Sequence, residues 1–235
     1  VDEDRTISRE VLADQVKDRL LQAIVAGRYA PDSRIVETRV AREYGTSQAP
    51  VREALRGLEA LGLVEITPFR GARVRRPSRS ELVEAYAVRS ELECLGARLA
   101  IPRITEADMA ELEALGAEMQ RAARAGDGHA VATADASLHG RVVQLSGNAT
   151  LERVWRALEP FSRTYITLVV PGADAQWTAD LHLPILDALR SRDADRLVQA
   201  LRQHFHDVAA RLAEEWTDVE AQPAVPAGAV PAGTA

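Results

Sequence analysis

Apolar residues recur along most of this chain at helical rather than strand spacing. Val11, Leu12, Val16, Leu20, Ala23 and Ile24 mark a first amphipathic helix that stops near Gly27. Tyr29 to Ser33 reads as a loop, Arg34 to Val36 as a short extended piece, and Glu37 or Thr38 as the start of a second helix. Gly45 ends that helix, Thr46 or Ser47 caps the next, and Ala49 and Pro50 fall in its first turn, where a missing N–H is harmless. Val51, Leu55, Leu58 and Leu61 then form one buried stripe, while Gln48, Arg52 and Arg56 keep to another side. After this the period drops to two. Leu63 to Ile66 alternates, Thr67 to Gly71 is a turn, and Ala72 to Arg75 alternates again, which predicts a hairpin with cations near its tip. A short helix, a Gly turn, a second helix led by small and polar residues and a basic hairpin make a winged helix-turn-helix. Its second helix can put its first turn into the DNA major groove. The plainer alternative, a surface helix beside a decorative hairpin, is weakened by that cationic wing.

Pro77-Ser78-Arg79-Ser80 is the expected domain boundary, with Ser80, Glu81 and Glu84 opening a helix. Beyond it the pattern is almost wholly helical. Helices are predicted over Ser80–Ala100, Glu106–Ala125, His129–Leu145, Ala149–Val169, Ala175–Arg190 and Ala194–Trp216, separated by Gly-, Pro- and Ser-containing breaks, Pro171-Gly172 among them. Pro160 and Pro184 each fall inside a predicted helix and should kink it or mark its first turn. Short connections between long helices predict an antiparallel bundle. The expected fold is therefore mostly α. It has a DNA-binding head over residues 8–77, a helical body over 78–218, and a Pro-, Ala- and Gly-rich disordered tail over 219–235.

Composition narrows the function. The hydrophobic content of 46% with only 4% aromatics favours packed helices. No apolar run is long enough to span a membrane and no secretory pattern opens the chain, so a cytoplasmic protein is expected. The lone Cys94 permits no intramolecular disulfide and reads as a small core residue. The net charge of −6 argues at first against nucleic acid, but its distribution does not. From Arg34 to Arg76 nine arginines stand against five acids, so the remainder carries about −10. A basic head on an acidic body suits a DNA reader with a separate regulatory half.

Two polar features stand out in the body. Asp135 and His139 lie at i, i+4 on a partly inward helical face; His182 precedes Ile185 and Leu186, and His204 lies beside Leu201 and Phe205. Three imidazoles and a carboxylate from three helices could converge there. Imidazole suits zinc, nickel, iron or copper, and the carboxylate with open water positions would admit manganese. The alternative is ordinary hydrogen-bonded histidines and a surface Asp135–His139 pair. His129 and His206 are weaker candidates. Arg89 falls near the bundle-facing side, and a buried arginine needs an anion: either Glu93 at i+4 or a ligand carboxylate held by its fork.

With those residues in view, the chain resembles a known family. PVREALRGLEALGLVEITPFRGARV resembles the winged helix-turn-helix of GntR regulators. Arg89-Ser90-Glu91-Leu92-Glu93, Asp135 with Leu138-His139, Ser146-Gly147-Asn148, His182 with Ile185 to Leu189, and His204 together resemble the FCD ligand-binding domain of the FadR subfamily. The resemblance implies a divalent metal on Asp135, His139, His182 and His204, zinc first, with nickel or manganese as alternatives. It also implies a small organic acid contacting Arg89 and, less directly, Asn148, and a homodimer on a pseudo-palindromic double-stranded DNA operator, commonly as a repressor. Ser47, Gln48, Ala49 and Arg52 would read bases or adjacent phosphates. Thr38, Arg39, Arg70, Gly71 and Arg73 would add backbone and wing contacts. The chain departs from the family at Gln48-Ala49, where Arg-Thr is common, so the base read there should shift from guanine toward adenine. It departs also at Pro31-Asp32, where Pro-Gly is usual, and at Leu138, where Phe is usual. Two other readings remain open from sequence: a metalloenzyme acting on a small carboxylate, and a regulator whose metal is purely structural.

Overall fold

The computed structural model describes residues 8–164 and 174–215. The expected tail, the Pro171-Gly172 break and the far end of the predicted Ala149–Val169 helix lie outside them. Among the described residues the head comprises α1 (Ser8–Val25), β1 (Arg34–Ile35), α2 (Glu37–Glu43), α3 (Gln48–Ala60), β2 (Val64–Thr67) and β3 (Gly71–Val74). The body comprises α4 (Arg79–Ala100), α5 (Glu106–Arg124), α6 (Gly128–Leu145), α7 (Ala149–Thr164), α8 (Ala175–Asp180), α9 (Leu183–Ser191) and α10 (Ala194–Glu215).

The head closes on its own core. Val51, Leu55 and Leu58 on α3 pack with Val16, Leu20 and Ile24 of α1 and with Val40, Val64, Ala72 and Val74, all buried. Gly45 turns the chain between α2 and α3 at φ 65°, a left-handed conformation that costs glycine nothing. Ser47 takes the N-cap position of α3 by its backbone, although its side chain makes no cap hydrogen bond. The sheet is antiparallel in the order β1-β3-β2, with Ile66 opposite Ala72 and Ile35 opposite Ala72 on the other edge. Asp32, where the family's glycine is usual, sits at φ 66°. It ties the base of the wing: its carbonyl accepts from Arg73 Nη1 at 3.1 Å and its carboxylate from Arg76 Nε at 2.9 Å.

In the body α4 is the central element, packed against α6, α7 and α10, while α5 covers α6, α8 and α9. Its core joins Leu82, Leu112, Met119, Leu138, Ile185, Leu189 and Leu197. Two expectations are corrected. Helix α4 is capped by Ser78, not Ser80, because a capping box needs its acid three residues on, and Glu81 meets that spacing only from Ser78. The predicted Ala175–Arg190 helix is two helices. Pro184 cannot donate inside a helix, so it takes the first turn of α9 and His182 becomes the cap.

Candidate metal centre and DNA interface

The bend before α9 decides where one imidazole points. His182 N–H bonds to Ala179 O, which leaves the Thr178 carbonyl without its usual helical donor. The His182 ring supplies one instead, with Nδ1 at 2.8 Å from Thr178 O. A carbonyl only accepts, so Nδ1 carries the hydrogen and Nε2 presents a lone pair. His139 is fixed in the same sense, because its Nδ1 faces Glu93 Oε2 in a close hydrogen bond. Both Nε2 atoms therefore point inward, 3.2 Å apart. Asp135 Oδ1 lies 2.9 Å from His182 Nε2 and 3.8 Å from His139 Nε2. His204 completes the group, and its Nδ1 is buried with no hydrogen-bond partner.

Asp135, His139, His182 and His204 are all buried, and their ligand atoms lie within 4.8 Å of one another. Three lone-pair acceptors facing each other inside a protein repel, so a cation must sit among them, either a shared proton or a metal ion. The donor set fits a divalent metal: one carboxylate and three imidazoles, one of which, His204, has an orphaned buried nitrogen. Burial, then the neighbouring His182 and His139, push His204 well below the ordinary histidine range, leaving the neutral ring that a metal binds. Burial would raise Asp135, but the close His182 and His139 rings and the Arg89 guanidinium outweigh it and hold the carboxyl well below the usual range. Burial would lower His139, but the Glu93 and Asp135 carboxylates outweigh it and raise it.

Glu93 is the residue of this cluster that sequence reasoning undervalued. It appeared there as a partner for Arg89 alone. In the structure its Oε1 accepts from Arg89 Nε at 3.0 Å, Arg89 Nη2 at 2.8 Å and Trp155 Nε1 at 2.6 Å, while Oε2 serves His139. Burial would raise it, yet His139, Arg89 and the hydrogen bonds outweigh burial and hold it at about 2. Arg89 is buried, and its guanidinium also lies over the rings of Trp155 and Phe205 at 5.5 and 5.3 Å. Arg89, Glu93 and the four clustered residues thus form one continuous polar interior. Asn148 is not drawn into it. Its side-chain oxygen accepts from Leu151 N at 3.1 Å, capping α7. His129 and His206 are exposed. Leu138 is fully buried in the body core.

In the head, Thr38, Arg39, Ser47, Gln48, Ala49, Arg52, Arg70 and Arg73 are all exposed, and Gly71 is half-buried. Arg52 pairs with Glu37 at 2.7 Å and with Gln48 at 3.2 Å. An exposed pair of this kind holds weakly and is readily exchanged for a phosphate or a base edge. Arg73 is turned back onto Asp32, so Arg70 is the freer cation of the wing.

Comparison with known proteins agrees with both halves. The profile of bacterial regulatory proteins of the gntR family matches residues 12–74, and that of the FCD domain matches residues 84–207. A protein of Paenarthrobacter nicotinovorans named "Probable D-xylose utilization operon transcriptional repressor" is 35% identical, covering 85% of this chain and 88% of its own. The galactonate operon transcriptional repressor of Escherichia coli is 29% identical, covering 86% and 96%. The solved structure of E. coli McbR/YncC superposes with a TM-score of 0.75 at 24% identity, covering 88% and 99%. A winged helix-turn-helix head on an all-helical body, in the company of these relatives, marks the chain as a transcriptional regulator. This chain belongs to the gntR family of bacterial transcriptional regulators, with an FCD domain as its body. The gntR head implies DNA binding and the FCD body implies an effector.

Proposed function

We propose that the protein is a metal-containing repressor of the FadR subfamily. It grips a pseudo-palindromic operator as a homodimer and releases it when a small organic acid enters the body. Residues 8–77 read DNA and residues 78–218 sense the effector. The observation that carries this is the buried cluster of Asp135, His139, His182 and His204, continuous with Arg89 and Glu93, in a body joined to a winged head. These four side chains would hold a divalent ion, zinc before nickel or manganese, which would neutralise their facing lone pairs and offer a Lewis-acidic seat for a carboxylate. Arg89 supplies the counter-charge beside it. Relatives named for galactonate and gluconate operons point to sugar acids as the first effectors to try. Helix α7 carries Trp155, a donor to Glu93, and touches α1 of the head, so a change at the polar interior has a packed route outward. The effector acts only by binding one arrangement of the heads more tightly than the other.

Base reading falls to Ser47, Gln48, Ala49 and Arg52, with Thr38, Arg39, Arg70, Gly71 and Arg73 contacting the backbone and minor groove. Binding-site selection with the full chain, with and without a panel of aldonic acids, tests the whole reading. One enriched palindrome weakened by one acid is expected; no enriched sequence would sink it. Arg52→Ala is expected to lower affinity for the selected duplex about 10- to 100-fold, roughly 1–3 kcal/mol, and to blur the preference at one base pair. Unchanged affinity in a mobility-shift titration would remove Arg52 from the reading set.

The dimer face is proposed on α4. Val88, Leu95 and Leu99 are 51%, 43% and 36% exposed, half-buried Leu92 lies between them in sequence, and Val154 is exposed on α7, which packs on α4. Their alternating spacing of four and three residues is that of helices that pack in pairs. Leu95→Glu is expected to give a monomer in sedimentation and to cost about 100-fold in operator affinity through lost avidity. A dimer that survives this change would move the interface elsewhere.

A further inference from the structure

The wing tip holds a residue that neither half of the chain explains. Thr67 to Arg70 form a turn closed by Arg70 N–H to Thr67 O at 3.0 Å. Pro68 stands second in it and Phe69 third, with φ 64°. That is the type II pattern, whose third position favours Gly or Asn because a side chain there is strained. Phe69 is also 108% exposed, more than any other large hydrophobic side chain among the described residues. The protein therefore carries an aromatic ring in a disfavoured backbone conformation, fully in water, at a position where glycine would relieve both costs. Strain held in this way points to something the ring touches that the free chain lacks.

Charge and placement say what that is. Arg70 follows directly and is exposed, and Arg73 is exposed on the same hairpin. The wing belongs to the basic head, and its first strand packs on α3, with Ile66 N–H bonded to Glu59 of that helix at 3.0 Å. A ring flanked by cations on a narrow hairpin fits a polyanion with apolar gaps between stacked planes, which describes a duplex groove. We propose that Phe69 is a wedge that enters the operator minor groove beside α3 and partly unstacks one base step. This rests on the DNA-reading function above. Apolar wedges of this kind are favoured at pyrimidine–purine steps, TA and CA/TG, which unstack most easily. The wedge thus selects a flexible step at the wing without a hydrogen bond to any base.

The test uses the full chain and the duplex recovered by binding-site selection, with 2-aminopurine placed at the flexible step flanking each half-site. Wild-type protein is expected to raise the 2-aminopurine fluorescence on binding. Phe69→Gly is expected to melt at the same temperature as wild type or a few degrees higher, to bind the duplex about tenfold more weakly, to abolish the fluorescence rise, and to tolerate a stiff step in place of the flexible one. Wild-type affinity and fluorescence in Phe69→Gly would overturn the wedge while leaving the DNA-reading function intact. A marked fall in melting temperature would make Phe69 a packing residue, and a change in sedimentation without DNA would make it a protein contact; either overturns it. Failure of the wild-type chain to select any duplex removes both readings together.

Discussion

Glu93→Gln is expected to lower the thermal midpoint by on the order of 10 °C and to weaken metal affinity about 10- to 100-fold. The amide keeps the volume but has one acceptor oxygen where the carboxylate has two. It can serve the Arg89 and Trp155 donors or His139 Nδ1, not both sets. Arg89, buried and stripped of its counter-charge, then carries the penalty of an unpaired internal ion, roughly 3–5 kcal/mol. For a chain of this size each kcal/mol moves the midpoint by about 2–4 °C. The loss of metal affinity has a separate cause. A ligating histidine depends on the partner of its other nitrogen, and changing that partner usually costs about this much. Acid gives an independent check on metal-free protein. Glu93 is held at about 2 against an ordinary value of 4.5, so its folded carboxyl is depressed. The stability it adds is whole above about pH 4.5 and disappears as the pH falls toward 2. The gap between wild type and Glu93→Gln in calorimetric midpoints should therefore close over that window. A gap that stays constant with pH would show that the carboxylate's charge is not what stabilises this interior.

His182→Ala is expected to abolish bound metal. Untagged wild-type protein, dialysed and analysed for elements, should carry about one divalent ion per chain, and the variant none. A ligand present at a thousandfold excess over its Kd stabilises the folded state by about 4 kcal/mol, here worth on the order of 10 °C. Chelation should lower the wild-type midpoint by this amount and leave that of His182→Ala unmoved. The remaining difference between chelated wild type and the variant measures the space left by the deleted ring and the Thr178 carbonyl that it satisfied. Equal and negligible metal in both proteins would mean that the cation among the facing acceptors is a proton.

Much of the candidate site could be read from spacing. Asp135 and His139 share a helical face because the period of an α-helix demands it, and the apolar residues around His182 and His204 mark both as inward. Glu93 could not be weighed in the same way. Its partners His139 and Trp155 lie 46 and 62 residues away, and no local period carries a contact across that distance. Arg89 and Glu93 at i, i+4 were visible as a pair, but whether that pair or a ligand satisfied the arginine was a question of packing. The broken helix before α9 was half visible. Pro184 announced a kink or a first turn, and only the fold shows that the chain breaks there, makes His182 the cap and turns its Nδ1 onto Thr178.

Sequence by itself determined the winged head, the helical body, the inward histidines and the arginine-rich balance of the first half. All of these follow from local periodicity, turn chemistry and counted charge. Tertiary structure alone decided which nitrogen of each imidazole faces inward, and that Glu93 joins Arg89 to His139. It alone also decided that Phe69 stands fully in water at the tip of a strained turn. Burial, hydrogen-bond direction and exposure are properties of neighbours brought together by folding, and the order of residues along a chain does not contain them.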